Sequence, residues 1–412
     1  MLITNIKALV GIRPKDTLKL HGHEMAILPQ LENAWLLIED GLIKGFGSMD
    51  KLPETNAGLE ILNAGGGFIF PSWCDSHTHI VFAAPREEEF VMKIKGKSYE
   101  EIAAAGGGIL NSANKLEKAT EDELFESAAL RLNDMIKQGT GAVEIKSGYG
   151  LTINSELKML RVIKRLKTAF PIPIKATLLA AHAYPQAYKN DHQGYLSLIV
   201  EELLPIVAQE QLADYIDVFC EQGFFSVAET DLVLSAGAKY GLRPKIHANQ
   251  LSISGGVQIG IKHRAISVDH LEETDDAVLN SLANSNTIAT LLPSCSFYLN
   301  IPFANARGLI GANAAVAIAS DYNPGSTPSG NMNLVVSMAC IKLKMLPEEA
   351  INAATLNGAA AIELSHEIGS ITIGKKANLF ITRPIPSLAF LPYSFGQSQI
   401  KTVVLNGEVY HG

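Results

Sequence analysis

Four side chains stand out for the chemistry they could perform together: His77 and His79, one residue apart, and much later His247 and Asp321. Residues i and i+2 of an extended chain point to the same side, so both imidazoles of His77-Thr78-His79 can reach one ion. That spacing alone is weak, since two buried histidines bonded to backbone look the same in sequence. The chain contains its own control in His21-Gly22-His23, an H-x-H in a polar stretch where nothing completes a site and solvent-facing rings are expected. His247 and Asp321 separate the two cases, because each follows an apolar, strand-like approach, Lys245-Ile246 and Ala315 to Ala319. Three imidazoles and one carboxylate suit a single zinc or iron ion, and the chemistry of such an ion is the activation of water.

These residues need elements to bring them together. Eight short β-rich runs alternate with helical stretches: Phe68 to Cys74, Ala142 to Lys146, Lys175 to Ala180, Tyr215 to Phe219, Lys245 to His247, Ala265 to Val268, Thr287 to Leu291 and Ala315 to Ala319. Between the first two, Leu124, Phe125, Ala128, Leu132, Met135 and Ile136 fall on one face of a helix spanning Glu121 to Gln138. Eight such units over roughly 300 residues predict an α/β fold, a (β/α)8 TIM-like barrel, with a doubly wound open sheet as the competing arrangement. The residues just past the strand ends favour the barrel. They are His77, His79, Tyr149, His182, Glu221, His247, His270, Ser294 and Asp321, and a barrel gathers all of them on its C-terminal face.

Both chain ends read differently. Ala34 to Gly47 turns at Asp40-Gly41, and Lys401 to Tyr410 turns at Asn406-Gly407, two hairpin signatures. The expectation is a small β-sandwich domain built from residues 1–66 and 368–412, flanking a catalytic barrel of residues 67–367. At 412 residues the chain exceeds the usual size of one core, which agrees with two domains. A net charge of -8 with no basic run argues against nucleic-acid binding. Cys74, Cys220, Cys295 and Cys340 form no C-x-x-C and read as reduced thiols. With no signal-peptide pattern and no membrane-length apolar run, a cytoplasmic address is expected.

The stretch Phe70-Pro71-Ser72-Trp73-Cys74-Asp75-Ser76-His77-Thr78-His79 resembles the opening motif of the amidohydrolase superfamily, and Gly369-Ser370-Ile371 to Lys375-Lys376-Ala377-Asn378-Leu379 is similar to that superfamily's return to its small β domain. Finer motifs are similar to the members that open an imidazolone ring. They are Pro85 to Glu89, Gly106 to Gly108, Lys146 to Thr152, Ala181 to Pro185, His247 to Gln250, Val268 to Leu271 and Ser320 to Ser326. The chain departs from those members at Asn249, where Asp is frequent, and at Ser320, where Thr is, and from the superfamily's tail motif at Asn378, where Asp is usual. Gln250 stands where some carry Glu, and a glutamine cannot serve as a general base.

The resemblance implies hydrolysis of the cyclic amide of 4-imidazolone-5-propanoate to N-formimidoyl-L-glutamate, with one divalent metal ion per subunit, zinc or iron, on His77, His79, His247 and Asp321. It also implies a homodimer. Asp321 would then take and return a proton, His270 would orient or deprotonate water, and His182 would address the carbonyl oxygen or ring. Arg86 would grip the propionate, although an exposed arginine paired with Glu87 or Glu89 is the plainer reading of it. Tyr149, between glycines, and Gln250 would contact substrate, as would Asn323, Gly325 and Ser326 in a Pro/Gly loop that also forms a turn. Gly106 to Gly108 reads as a flap, Cys295 as a buried thiol, and Glu221 as half of a salt bridge. Competing functions are a ring deaminase or a dihydropyrimidinase-like enzyme, for which Lys146 and Lys175 are poor metal-bridging lysines, and a catalytically dead scaffold.

Overall fold

The computed structural model describes residues 1–54, 58–97, 101 and 107–412. Eight parallel strands form one sheet: β6 (Trp73–Thr78), β7 (Thr140–Lys146), β8 (Ile174–Ala181), β9 (Tyr215–Cys220), β10 (Arg243–Ala248), β11 (Ser267–His270), β12 (Ile288–Leu291) and β13 (Val316–Ile318). Their spatial order is their chain order, so each strand lies beside the next, as repeated right-handed βα units require. Most are buried along their whole length, because helices cover one face and the barrel interior the other. The helix Glu121–Lys137 shows how the sequence enforces this. Thr120 and Glu123 close a capping box at its start, and Leu124, Ala128, Leu132, Met135 and Ile136 bury one face. Phe125 is only half-buried.

The seam between first and last strands closes beyond the end of β13. There the Asp321 N–H donates to the His77 carbonyl at 3.0 Å, and the His79 N–H donates to the Tyr322 carbonyl at 2.8 Å. Three of the four metal-binding candidates are therefore held by the backbone bonds that shut the barrel.

The termini form a second sheet of β1 (Leu2–Val10), β2 (Gln30–Glu39), β3 (Leu42–Ser48), β4 (Ile61–Asn63), β5 (Phe68–Pro71), β14 (Leu379–Thr382), β15 (Ile400–Leu405) and β16 (Glu408–Val409). Both expected hairpins are present, with φ of 51° and 76° at Asp40-Gly41 and 49° and 81° at Asn406-Gly407. Side-chain alternation divides this sheet between two cores. Ala8, Val10, Phe70 and Phe380 pack into the barrel's core, whereas Ile3, Leu9, Ile69 and Ile381 enclose a separate one.

One segment differs from the sequence reading. The run Phe68 to Cys74 is not a single barrel strand: Phe68–Pro71 pairs with β1 and β14, and the barrel begins at Trp73. The terminal sheet thus extends through Pro71, past residue 66. The chain changes sheets at Ser72, a residue whose N–H bonds the Asn378 carbonyl. Among the described residues no helix is long and apolar enough to cross a membrane.

Candidate active site

His77 and His79 project from β6 and its end so that their Nε2 atoms lie 3.3 Å apart. Asp321 Oδ1 lies 3.5 Å from the first and 3.6 Å from the second. A tetrahedral ion with bonds of 2.0–2.1 Å has its ligand atoms about 3.4 Å apart, so this triangle has the dimensions of a coordination face. His247, at the end of β10, offers a nitrogen within 4.8 Å of those of His77 and His79, and its buried Nε2 has no hydrogen-bond partner among the described residues. An unpartnered buried nitrogen facing two other imidazoles fits a metal ion. Burial, followed by Lys146 for His77 and His247 and by His182 for His79, holds all three rings well below the usual histidine range. They are neutral, as metal ligands must be. Burial also pushes the Asp321 carboxyl up to about 6.

A layer of paired charges lies beneath these ligands, and the sequence reading missed it. His77 Nδ1 donates to Asp269 Oδ2 at 2.7 Å, which leaves its Nε2 lone pair facing the centre, and His247 Nδ1 lies 2.9 Å from Asp217 Oδ2. Lys146 Nζ holds Asp217 at 2.8 Å and Glu144 at 2.6 Å, and Lys245 holds Glu144 and the Ser76 carbonyl. All five charged side chains are fully buried. A signal was available: Glu144, Lys146, Asp217, Lys245 and Asp269 interrupt apolar strands, and a charge in a strand covered on both faces must be paired. Lys146 is thus committed to ion pairs, in accord with its poor standing as a metal bridge.

Above the ligands is a cavity of about 60 Å³. His79, His247 and Asp321 line it, together with Tyr149, His182, Gln250, His270, Asn323 and Ser326 from the expected set, and Phe219, which was not expected. Glu156 shapes the Tyr149 loop by accepting from the N–H groups of Gly148, Gly150 and Leu151 at 3.1, 2.7 and 3.0 Å. Burial raises the Tyr149 hydroxyl well above its ordinary value, so it remains a donor. His270 Nδ1 lies 3.5 Å from Glu272 Oε2; burial lowers its pKa, but Glu272 together with Asp321 and Asp269 outweighs this and the net shift is upward.

The structure narrows several of the expected roles. His182 Nδ1 lies 3.2 Å from the Gly148 carbonyl, which can only accept, and burial lowers the ring's pKa to about 4. The ring is therefore neutral with its proton on Nδ1, and Nε2 is an acceptor, suited to a ring N–H and not to a carbonyl oxygen. Glu221 forms no salt bridge among the described residues. Instead it accepts from the backbone N–H groups of Gln222, Gln250 and Leu251 and from the Ser252 hydroxyl, fastening the loop that carries Gln250. Asn323 uses its amide within the turn, accepting from Gly325 and Ser326 N–H at 2.8 Å each and donating to the Asp321 carbonyl at 2.7 Å. The Ser326 hydroxyl donates to Asp321 Oδ2 at 3.1 Å.

Arg86 does not line this cavity. Its guanidinium packs against Gly325 and pairs with Glu89 at 2.5 Å, and it borders a neighbouring cavity of about 240 Å³ with Phe90, Tyr298 and Pro324. The same Glu89 accepts from the Gly108 N–H at 2.9 Å, tying down the described end of the glycine run; Gly106 lies outside the described residues. Cys295 is fully buried, its thiol pushed well above its ordinary value by burial, and is no nucleophile. In the control motif His23 is exposed and His21 half-buried.

Residues 238–410 match the Amidohydrolase family. Among solved structures, a triazine hydrolase variant aligns with a TM-score of 0.77 at 15% identity over 99% of this chain and 94% of that one. E. coli guanine deaminase aligns at 0.74 and 14% over 100% and 98%. These likenesses establish the fold alone. Sequence similarity is much higher to the imidazolonepropionase of Christiangramia forsetii, 54% identical over 99% of both chains, and to that of Flavobacterium johnsoniae, 55% identical over 99% of both. That of Clostridium tetani is 42% identical over 95% of this chain and 93% of its own. With near-complete coverage at such identity, on an amidohydrolase barrel whose mouth holds three neutral imidazoles and a carboxylate, this chain belongs to the imidazolonepropionase family of the amidohydrolases.

Proposed function

We propose that this chain hydrolyses the ring amide of 4-imidazolone-5-propanoate, giving N-formimidoyl-L-glutamate. The observation that carries the reading is the ligand triangle of His77, His79 and Asp321 beside an unpartnered His247 Nε2, in a chain 54% identical to an imidazolonepropionase along its whole length. A zinc or iron ion, one per subunit, held by His77, His79, His247 and Asp321, supplies Lewis acidity that makes water a nucleophile near neutral pH.

The chain's own groups do the rest. Asp321 accepts a proton from the attacking water and returns it to the departing ring nitrogen as the carbon–nitrogen bond breaks and a carboxylate forms. His270 orients the water. Its Nδ1 faces Glu272, so its Nε2 is the atom available to accept. His182 accepts a ring N–H through Nε2, and Tyr149 donates through its hydroxyl. Gln250 contacts the ring, and the turn of Asn323, Gly325 and Ser326 fixes Asp321 and borders the substrate. Arg86 takes the propionate on release from Glu89. A homodimer and a cytoplasmic address complete the reading.

The test compares ring opening of imidazolone propionate with ammonia release from amino-substituted rings, using metal-loaded protein. Ammonia release without ring opening would overturn the proposal. Arg86→Ala should raise KM by about 10- to 100-fold at unchanged metal content; loss of metal instead would show that Arg86 supports the ligands.

A further inference from the structure

Beside the site just described is a second group of three metal-binding side chains that the mechanism does not use as ligands. His270, Glu272 and Cys295 each present one ligand atom, and these atoms lie within 4.8 Å of one another. The three residues are 3%, 5% and 0% exposed. We propose that they form a second, inhibitory cation site that takes a thiophilic divalent ion such as Zn2+ or Cd2+.

Two of the three ligand atoms have no partner among the described residues but each other, in a loose contact without hydrogen-bond geometry. His270 Nδ1 and Glu272 Oε2 are buried without a hydrogen-bond partner among the described residues, and they face each other at 3.5 Å. That is about the separation of two ligands on one tetrahedral ion. Buried polar atoms left unpaired are costly, and a shared cation would satisfy both. The geometry is built in. His270 and Leu271 have φ of 87° and 64°, two successive left-handed residues without a glycine, so the chain curls at the end of β11. Ser296 donates to Glu272 Oε1 at 3.1 Å, which leaves Oε2 for the ion.

The donor set selects the ion. Imidazole, carboxylate and thiolate together favour zinc or cadmium over magnesium or calcium. Cys295 loses its proton to solvent as the cation–sulfur bond forms, and Gln250 Nε2, 3.5 Å from Sγ, donates to the resulting anion. A carboxylate at position 250 would repel that sulfur. The consequence for activity rests on the role proposed for His270. A cation on Nδ1 confines the ring proton to Nε2, which can then donate to water but not accept from it.

The experiment starts from protein carrying one equivalent of Zn2+ and titrates Cd2+, following bound metal, ultraviolet cadmium–thiolate absorption and ring-opening activity. The expected result is a second equivalent bound with zinc retained, a thiolate band, and activity falling about a hundredfold as that equivalent binds. Cys295→Ser and Cys295→Ala should keep the first equivalent and the activity while losing the band and the cadmium sensitivity. A wild-type chain that takes up no second equivalent and shows no band overturns the site, as does a second equivalent retained by both variants. A bound second equivalent with the band and full activity overturns the inhibition, and with it the role of His270, while the ring-opening assay still stands on its own.

Discussion

Two buried lysines, one inside the barrel and one at the approach to the terminal sheet, have opposite electrostatic outcomes. Lys146 ends β7 with Glu144 at 2.6 Å, Asp217 at 2.8 Å and Asp269 at 3.5 Å. Burial lowers its pKa, but these carboxylates outweigh burial and hold it above its ordinary value. Lys375, four residues before β14, is 1% exposed and donates to neutral oxygens only, the Ser365 carbonyl at 2.5 Å and the Ser370 hydroxyl at 2.7 Å. Burial pushes it down to about 8. Burial alone therefore does not set the charge state; the partners do. In the barrel, two of those partners also meet the candidate ligands, Asp269 bonding His77 Nδ1 and Asp217 lying 2.9 Å from His247 Nδ1 while accepting from the His247 backbone N–H, so charge balance and site geometry share contacts.

The largest expected effect removes the carboxylate at the barrel's mouth. Asp321→Asn should cost about four orders of magnitude or more in kcat/KM and lower the bound metal measured after dialysis. Near-normal turnover would remove Asp321 from the proton transfer. Next, Lys146→Met removes the lysine paired with Asp217 and leaves Glu144 and Asp269 to Lys245, and should destabilise the fold by roughly 3–5 kcal/mol in urea unfolding. Adding Asp217→Asn should recover part of that loss, and strict additivity would argue against direct coupling.

Lys375 should show the opposite behaviour with pH. Below about 8 both states hold the proton, and the penalty of burying the ammonium is complete. Between 8 and 10.5 the unfolded chain binds a proton that the folded chain has released, so this residue's contribution rises with pH, by up to about 3 kcal/mol. Denaturation at pH 8 and pH 10 checks it, and Lys375→Met should flatten that part of the slope. Smallest is Asp217→Asn alone, expected to weaken metal affinity about 10- to 100-fold in a chelator competition. No change there would mean that His247 needs no carboxylate behind it.

The local features were legible because each rests on neighbours in sequence. Asp40-Gly41 and Asn406-Gly407 specify their turns, Thr120 and Glu123 cap their helix, and the apolar approaches to His77, His247 and Asp321 mark strand ends. What was missed depends on who meets whom. Only Pro71-Ser72 hints locally that the strand Phe68 to Cys74 breaks there, since the apolar residues on either side differ only in partners. Arg86 could be read as a substrate anchor or as a partner of Glu89, and its folded contacts favour Glu89 before substrate arrives. Glu221 and Asn323 have side chains suited to a ligand; the fold ties Glu221 to the neighbouring loop that carries Gln250, and uses the Asn323 amide in its own turn at the cavity wall.

By itself, then, the sequence determined the kinds of element, the eightfold βα alternation and the four side chains proposed as metal ligands, because turn chemistry, side-chain period and ligand type are properties of short segments. Tertiary structure alone decided that the barrel seam closes at His77, His79 and Asp321, that His182 presents an acceptor, and that Asp217 and Asp269 stand behind the imidazoles. Those outcomes depend on distances between residues far apart in the chain, and in a buried interior each polar atom's role is set by the one partner it finds.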